Sequence, residues 1–572
     1  MDDIKPNPKQ PLRDFSEEQQ PPTTASLVPE DTASGVTGGA GDISAGASSS
    51  VQTDPGTSQS SDGADTKTSM RRKFPFIALA LLLVASLGVV AFLVIGNRGG
   101  SEKNAVTTIT KKDIANIRFV TNNKGWDAFY PEADNSSSYL ESTTAVFEGL
   151  VRYENKTQIV PLLATGWTNP DTTTWVFNLK KGVKFHTGRE MTPEDVKASF
   201  EAAKETIWGE IYGSSIKSVA VTGTNQVTIK TDGPDPTLLK KLVNYFVYDT
   251  KSGKQADAIN GTGPFVVKPG TQPKDDSLEL TAFDQYHGGR IHVRSLSFIA
   301  LDGEDTGQAF EDRKGDITDS VPVSVKRAHQ SLTVEPNSVF LLILNAKRAG
   351  SPLQNPKVRQ ALQLATDPAA LSKVRQVESV PASQVIPASI PGYNPDIVRP
   401  ARDITQAKTL LKEAGYPNGF TISFTYYGPS QQTADEISRQ LAEIGVKLQQ
   451  DPVNEVKILG QKASTGGTDM YFQTYASDIL DASDVISYYG DTSNYTNQKA
   501  LDLVADAQNS FDSSKRLGFL QQASKAMSDD LGVIPVYTPK SSPITHDPSY
   551  VIQRDVNNSN QLGIYWWKVY AK

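Results

Sequence analysis

Residues 184–200 read Lys-Phe-His-Thr-Gly-Arg-Glu-Met-Thr-Pro-Glu-Asp-Val-Lys-Ala-Ser-Phe. Just upstream, Trp175, Phe177 and Leu179 fall on every second position, Lys180-Lys181-Gly182 marks a turn, and Val183 and Phe185 resume the alternation. That pattern predicts a hairpin with one buried face. A helix is predicted to follow at once. Thr192 suits the N-cap, Pro193 the first helical position, and Glu194 and Asp195 the positive helix end, while Val196, Phe200 and Ala203 form an apolar stripe.

Working outward, the 572 residues, 38% of them hydrophobic, are enough to bury more than one core. Cysteine is absent, which excludes disulfides, thiolate metal sites and a lipidated cysteine. Residues 74–95 form an uncharged apolar run, and roughly 20 such residues span a bilayer. Arg71, Arg72 and Lys73 abut its N-terminal end, so the positive-inside rule predicts residues 1–73 in the cytoplasm, a transmembrane helix over 74–96 and everything beyond it outside the cell. The run is longer than the roughly 7–15 residue core of a secretory signal, and no small-x-small cleavage site follows, which favours an uncleaved anchor.

The first 69 residues are rich in Gly, Ser, Thr, Pro, Asp and Gln, with Phe15 as their one aromatic, and are predicted to be a disordered, solvated spacer. They hold four basic and eleven acidic residues, a balance of −7 that equals the charge of the whole chain. The external part therefore carries no field suited to nucleic acid. Residues 97–113 read as a juxtamembrane linker. Beyond them strand-like and helix-like patterns alternate to the end of the sequence, which predicts α/β architecture.

Asn355-Pro-Lys-Val-Arg-Gln-Ala-Leu-Gln-Leu-Ala-Thr-Asp367 opens with an Asn cap and Pro at the first helical position, and Asp367-Pro368 caps another helix. Ala407-Lys-Thr-Leu-Leu-Lys-Glu-Ala-Gly-Tyr-Pro-Asn-Gly-Phe420 describes a helix ended by Gly415, a turn, and then a strand through Ile422, Phe424 and Tyr426.

The stretch 184–200 resembles the signature of the family 5 extracellular solute-binding proteins, the oligopeptide- and dipeptide-binding components of ABC importers, with Thr187 in place of the usual Asp and Pro193 in place of the usual Ala. The two stretches just described, with Phe340-Leu-Leu-Ile-Leu-Asn345 before the first, resemble the family as well. So do Phe147-Glu-Gly-Leu-Val-Arg-Tyr153, Pro161-Leu-Leu-Ala-Thr-Gly-Trp167, Gly261-Thr-Gly-Pro-Phe265, Ile444-Gly-Val446 and Ile534-Pro-Val-Tyr537, all in the family's order. The resemblance implies a two-lobed periplasmic-binding-protein-like fold of type II, of the large kind with an extra subdomain. The first lobe is expected over 114–340 plus 540–572, with an inserted subdomain at about 155–255, and the second over 341–539.

Catalytic signals fare poorly. Among His186, His287, His292, His329 and His546 there is no His-Glu-x-x-His spacing, and no nucleophile elbow or phosphate-binding loop occurs. His287 and His292 read as solvated loop residues and His186 as a structural one, so no metal, cofactor or enzymatic activity is expected.

For binding, Thr468-Asp-Met-Tyr-Phe-Gln-Thr-Tyr-Ala-Ser-Asp478 resembles the family stretch in which a strand bearing an aromatic ends three residues before an Asp. In peptide-binding members that Asp holds the ligand's α-ammonium, which implies this role for Asp478, with Tyr475 as the aromatic and Asp481 as the neighbour that replaces it if the register slips. A carboxylate suits a closed, water-poor cleft, where a charge-assisted bond to an ammonium is strong. Phe472 stands where some members have an Arg for the ligand's carboxylate. Tyr488, Tyr489, Asn494 and Tyr495 are read as a loop facing the cleft, and Ser136, Ser137, Ser138 and Tyr139 as a comparable first-lobe loop.

The resulting expectation is a monomeric, membrane-anchored protein that captures peptides between its lobes, closes on them by a population shift, and delivers them to ABC permease subunits. A nickel chelate, an oligosaccharide or an opine is the alternative solute. The alternative class is a single-pass receptor signalling to the cytoplasmic tail.

Overall fold

The computed structural model describes residues 111–572 apart from residues 122–124, 127–128, 132–136, 155–157, 253–259, 302–305, 320–325, 333–336, 376–377, 478, 493, 541–543 and 554–562. The expected tail, the membrane helix and most of the linker therefore lie outside the described residues. Among the described residues, no helix is long and apolar enough to cross a membrane.

Three sheets organise the chain. The first has seven strands in the order Phe265–Val267, Ser277–Ala282, Ser295–Ala300, Ile117–Thr121, Ile317–Thr318, Ile544–His546 and Gln330–Leu332. Ile117–Thr121 lies parallel to both of its neighbours, as α/β crossovers require. The second has six strands, Ser379–Pro381, Val533–Pro539, Ser338–Leu344, Met470–Ala476, Phe420–Tyr427 and Val446–Val453. Its centre is the apolar strand Ser338–Leu344, which pairs along its whole length with Met470–Ala476. The expected boundary at residue 340 falls inside this strand, so the chain leaves the first sheet between Leu332 and Ser338 and returns between Pro539 and Ile544.

The third sheet, antiparallel, is made of Ala164–Asp171, Thr174–Leu179, Gln226–Thr231 and Ile216–Gly223 and lies within the range expected for the inserted subdomain. Helix Pro193–Ala203 contributes Val196, Phe200 and Ala203 to the core, the stripe read from the sequence. Its start is held by the Asp195 carboxylate, which accepts hydrogen bonds from the Thr192 backbone N–H at 2.8 Å and hydroxyl at 2.9 Å.

The hairpin ahead of this helix differs from expectation. Thr174–Leu179 pairs with Ala164–Asp171 and Gln226–Thr231. Residues 183–191 instead close their own small loop, in which Met191 N–H donates to Val183 O at 2.8 Å and Phe185 N–H to Arg189 O at 2.9 Å. Val183 and Phe185 are nonetheless fully buried. A period-two pattern identifies the buried face and leaves the pairing partner open. His186 is structural, as expected: Nε2 donates to Gly263 O at 3.0 Å and the ring packs edge-on against Phe283.

The caps read at Asn355 and Asp367 are present. Asn355 Oδ1 accepts from Lys357 N–H at 2.9 Å, and Asp367 Oδ1 accepts from Ala369 and Ala370 at 2.9 and 3.2 Å. They start helices Pro356–Ala365 and Pro368–Val374, and Gly415, at φ +91°, follows helix Ile404–Glu413.

His546 sits in the inserted strand of the first sheet at 1% exposure, with Nδ1 donating to Asp547 O and Nε2 buried without a partner. Burial holds its pKa below the usual histidine value. The unfolded chain therefore binds a proton that the folded one refuses. Stability is predicted to fall as pH drops below about 6.5. His546→Gln should flatten that part of the profile in urea unfolding measured between pH 7.5 and 5.

Candidate functional site

Among the described residues, polar contacts that join the two lobes lie just beyond the end of strand Met470–Ala476. This strand, which carries Tyr475, ends just before Ser477, and helix Ala482–Gly490 begins five residues after Ser477. Tyr488 and Tyr489 are thus on a helix, where the sequence reading had placed a loop. The rings of Tyr475 and Tyr488 stack with centroids 5.1 Å apart, and Tyr489 packs edge-on against both. Asp484 accepts hydrogen bonds from the Tyr475 hydroxyl at 3.2 Å and from Ser477 Oγ at 3.1 Å. Tyr475 and Tyr489 are buried and Tyr488 is partly exposed, so of the three rings Tyr488 is the one with surface to offer a solute. Asp478 lies outside the described residues.

Asp481 is fully buried, and its carboxylate is already engaged. Oδ1 accepts from Ser483 N–H at 3.1 Å, Ser483 Oγ at 2.7 Å and Arg516 Nη2 at 2.7 Å, while Oδ2 accepts from Lys240 Nζ at 2.6 Å and Arg516 Nη1 at 2.9 Å. It is the N-cap of helix Ala482–Gly490. Burial works to raise its pKa, yet Lys240 and Arg516 outweigh burial and hold it far below the usual carboxylate range. A ligand ammonium would have to displace one of these cations, so the expectation that Asp481 stands in for Asp478 gives way to a structural role.

Two of the groups holding this segment come from outside the second lobe. Lys240, in the short helix Leu238–Lys241 that follows the third sheet, also donates to Leu480 O at 3.0 Å. The hydroxyl of Tyr153, in strand Val151–Glu154, donates to Ile479 O at 3.0 Å. Trp175 of the third sheet packs on Phe511, 6.0 Å between centroids. The sequence reading missed Lys240, Tyr153 and Arg516. The signal it contained was an Asp at a strand-to-helix junction beside apolar Ile479 and Leu480, which calls for a cation without saying which one.

Tyr139 lies inside the first lobe, 1% exposed, on helix Ser137–Val146. Its hydroxyl accepts from Tyr130 N–H at 3.0 Å and donates to Tyr130 O at 3.1 Å, which ties down a neighbouring turn. Ser136 lies outside the described residues. Asn494 and Tyr495 are both 2% exposed and serve the packing of the second lobe, with Asn494 Nδ2 donating to Ala463 O at 2.8 Å.

A second correction concerns His287, read as solvated. It is half-buried, its side chain 10% exposed, and Nε2 meets the Glu148 carboxylate at 2.7 Å, to which Thr262 and Tyr286 hydroxyls also donate at 2.8 and 2.9 Å. Glu148 lines a small recess in the first lobe, walled by Phe147, Leu162, Val243, Phe246, Ile564 and Trp567, with Tyr153 at its edge. Among the described residues no cluster of three metal-ligating side chains occurs.

Two sheets joined by two chain crossings, with a third sheet between strands of the first in the sequence, define a two-lobed α/β fold. The model of the bacterial extracellular solute-binding proteins, family 5 Middle, matches residues 158–497, more than half of the sequence, and the chain belongs to that family. The dipeptide-binding protein of Escherichia coli (strain K12) is 27% identical over 467 residues, covering 70% of this chain and 85% of that one. Heme-binding protein A of Haemophilus influenzae is 29% identical over 352 residues, covering 54% and 63%. Among solved structures, the ABC transporter-associated periplasmic binding protein DppA of Helicobacter pylori, in complex with the peptide STSA, superposes with a TM-score of 0.67 at 22% identity, over 80% of this chain and 98% of its own. That likeness establishes the fold.

Proposed function

We propose that this chain captures peptides between its lobes and delivers them to an ABC importer, held at the outer membrane face by residues 74–96 with residues 1–73 in the cytoplasm. In this reading Asp478 receives the α-ammonium of the peptide and the partly exposed ring of Tyr488, backed by the buried Tyr475, forms the aromatic wall beside it. The observation that carries it is the junction itself. A strand bearing Tyr475 runs into a turn whose next residues, 479–481, are bonded by side chains from both lobes. A solute held at that turn is in a position to favour the state in which the lobes touch, and a ligand shifts a conformational equilibrium only through such differential contacts. The E. coli relative named for dipeptides, similar over most of both chains, agrees with a peptide solute.

A second reading, a non-peptide solute, is favoured by the relative named for heme. Native mass spectrometry of the purified chain separates the two. Co-purifying adducts of mixed peptide mass are expected, and a single recurrent non-peptide mass would replace the peptide reading by the second.

A further inference from the structure

We infer that Lys240 and Tyr153 act as a latch: by bonding residues 479–481 across the two lobes they hold the lobes together, and so set the affinity for a solute from positions that do not bind it. The inference takes from the peptide reading above only the probes used to test it. Lys240 Nζ reaches Asp481 Oδ2 at 2.6 Å and Leu480 O at 3.0 Å, and the Tyr153 hydroxyl reaches Ile479 O at 3.0 Å. Lys240 and Tyr153 precede the chain crossing between Leu332 and Ser338, whereas residues 479–481 lie between the two crossings, so each bond runs from one lobe to the other. Trp175 against Phe511 is a ring contact of the same kind. All of these partners belong to the chain itself, so they favour the state in which the lobes touch before a solute arrives.

The seam they close is dry. Ile479 and Leu480 are 5% and 1% exposed, and they belong to one continuous cluster of buried apolar side chains with Tyr153 and Trp175. Low access of water strengthens the charge-assisted bond from Lys240 and shields it from salt. Separating the lobes here would wet apolar surface and break that bond together.

The Asp481 carboxylate divides its bonds in a way that lets the latch release. Arg516, on helix Ser513–Asp530, and Ser483 hold it from within the second lobe. Those bonds keep the turn folded and the charge paired when the lobes part, whereas the bond to Lys240 is the one that parting breaks. Loss of Lys240 therefore opens the latch without dismantling the turn. Apparent affinity scales with the fraction of chains in the binding-competent state, so a residue that raises this fraction tightens binding of every solute by the same factor.

The chain has no cysteine, so two introduced ones report on the lobes without background. Spin labels at Thr224→Cys, in an exposed turn of the third sheet, and Lys412→Cys, on the exposed side of helix Ile404–Glu413, give the interlobe distance of the full chain by double electron–electron resonance. Without peptide, Lys240→Met is expected to raise the population of a second distance at least about tenfold over the otherwise unaltered chain, the order of effect of losing a hydrogen bond to a charged group. Tyr153→Phe, which deletes one hydroxyl, should raise it less, and it carries the test should Lys240→Met fail to fold as judged by thermal unfolding. Isothermal titration should show Ala-Ala-Ala and its N-acetylated form weakened by the same factor in each variant. A role confined to local structure would lower the Tm and leave the distances in place. Unchanged distances in a folded Lys240→Met chain, or in Tyr153→Phe if that variant must stand in, overturn the latch. Altered distances in a chain that binds neither peptide uphold the latch and overturn the peptide reading.

Discussion

Asp481→Ala is expected to destabilise the second lobe by about 3–5 kcal/mol, the cost of breaking a buried ion pair so that its cations lose their partner. One carboxylate here accepts five hydrogen bonds, caps a helix and pairs with Lys240 and Arg516. Its removal strands the Arg516 guanidinium, only 12% exposed, and the Lys240 ammonium, 16% exposed. For a lobe of roughly 200 residues that loss corresponds to a fall in Tm on the order of 10 °C. The pH dependence follows from the depressed pKa. The contribution of Asp481 is complete above about pH 4, where the carboxylate would be ionised even in the unfolded chain, and is lost only as pH falls through the lower folded-state value. The destabilisation should therefore be the same at pH 5 and pH 8. A deficit that appears only at one of those pH values would contradict the ion-pair account. Lys240→Met isolates the interlobe half of the arrangement: Arg516 still neutralises Asp481, so the loss in stability should be smaller than in Asp481→Ala.

Asp478→Asn is expected to weaken binding of free peptides about 30-fold or more while leaving N-acetylated peptides within a factor of about two. The reasoning is that a desolvated charge pair loses roughly 2–5 kcal/mol when one partner is truncated, whereas a blocked amine never made the pair. Isothermal titration with matched free and acetylated peptides reads the difference directly. Equal losses for both would remove the ammonium role from Asp478 and leave the partly exposed Tyr488, stacked on Tyr475, as the proposed contact. Mutating Tyr488 to Ala gives a smaller effect in this view, since a stacked ring contributes about 0.5–1.5 kcal/mol beyond its buried area.

What the sequence made legible was local. Thr192, Asn355 and Asp367 start helices because their side chains or near neighbours satisfy the first free N–H groups, an interaction completed within three residues. Val183 and Phe185 were recognisable as buried because period two marks a face, yet the strand before them pairs with residues 226–231, and nothing local specifies a partner some 50 positions away. The same limit explains the tyrosines. Tyr139, Tyr475 and Tyr489 carry a polar tip that suits a wet cleft as well as a satisfied core, and only the fold puts Tyr130, Asp484 and Gln473 against those tips. His287 was misread for the same reason, because Glu148 stands 139 residues earlier in the chain.

The first sheet has a strand, Ile544–His546, seated between Ile317–Thr318 and Gln330–Leu332. More than 200 residues separate Leu332 from Ile544. At a synthesis rate of roughly 5–20 residues per second, that gap lasts about 10–40 s. Through this interval the lobe that begins first is still open along an inner seam, while the second lobe is being made, its sheet completed when Val533–Pro539 arrives just before Ile544. The lobe begun first is thus the lobe finished last, and its core closes only when the segment around His546 arrives.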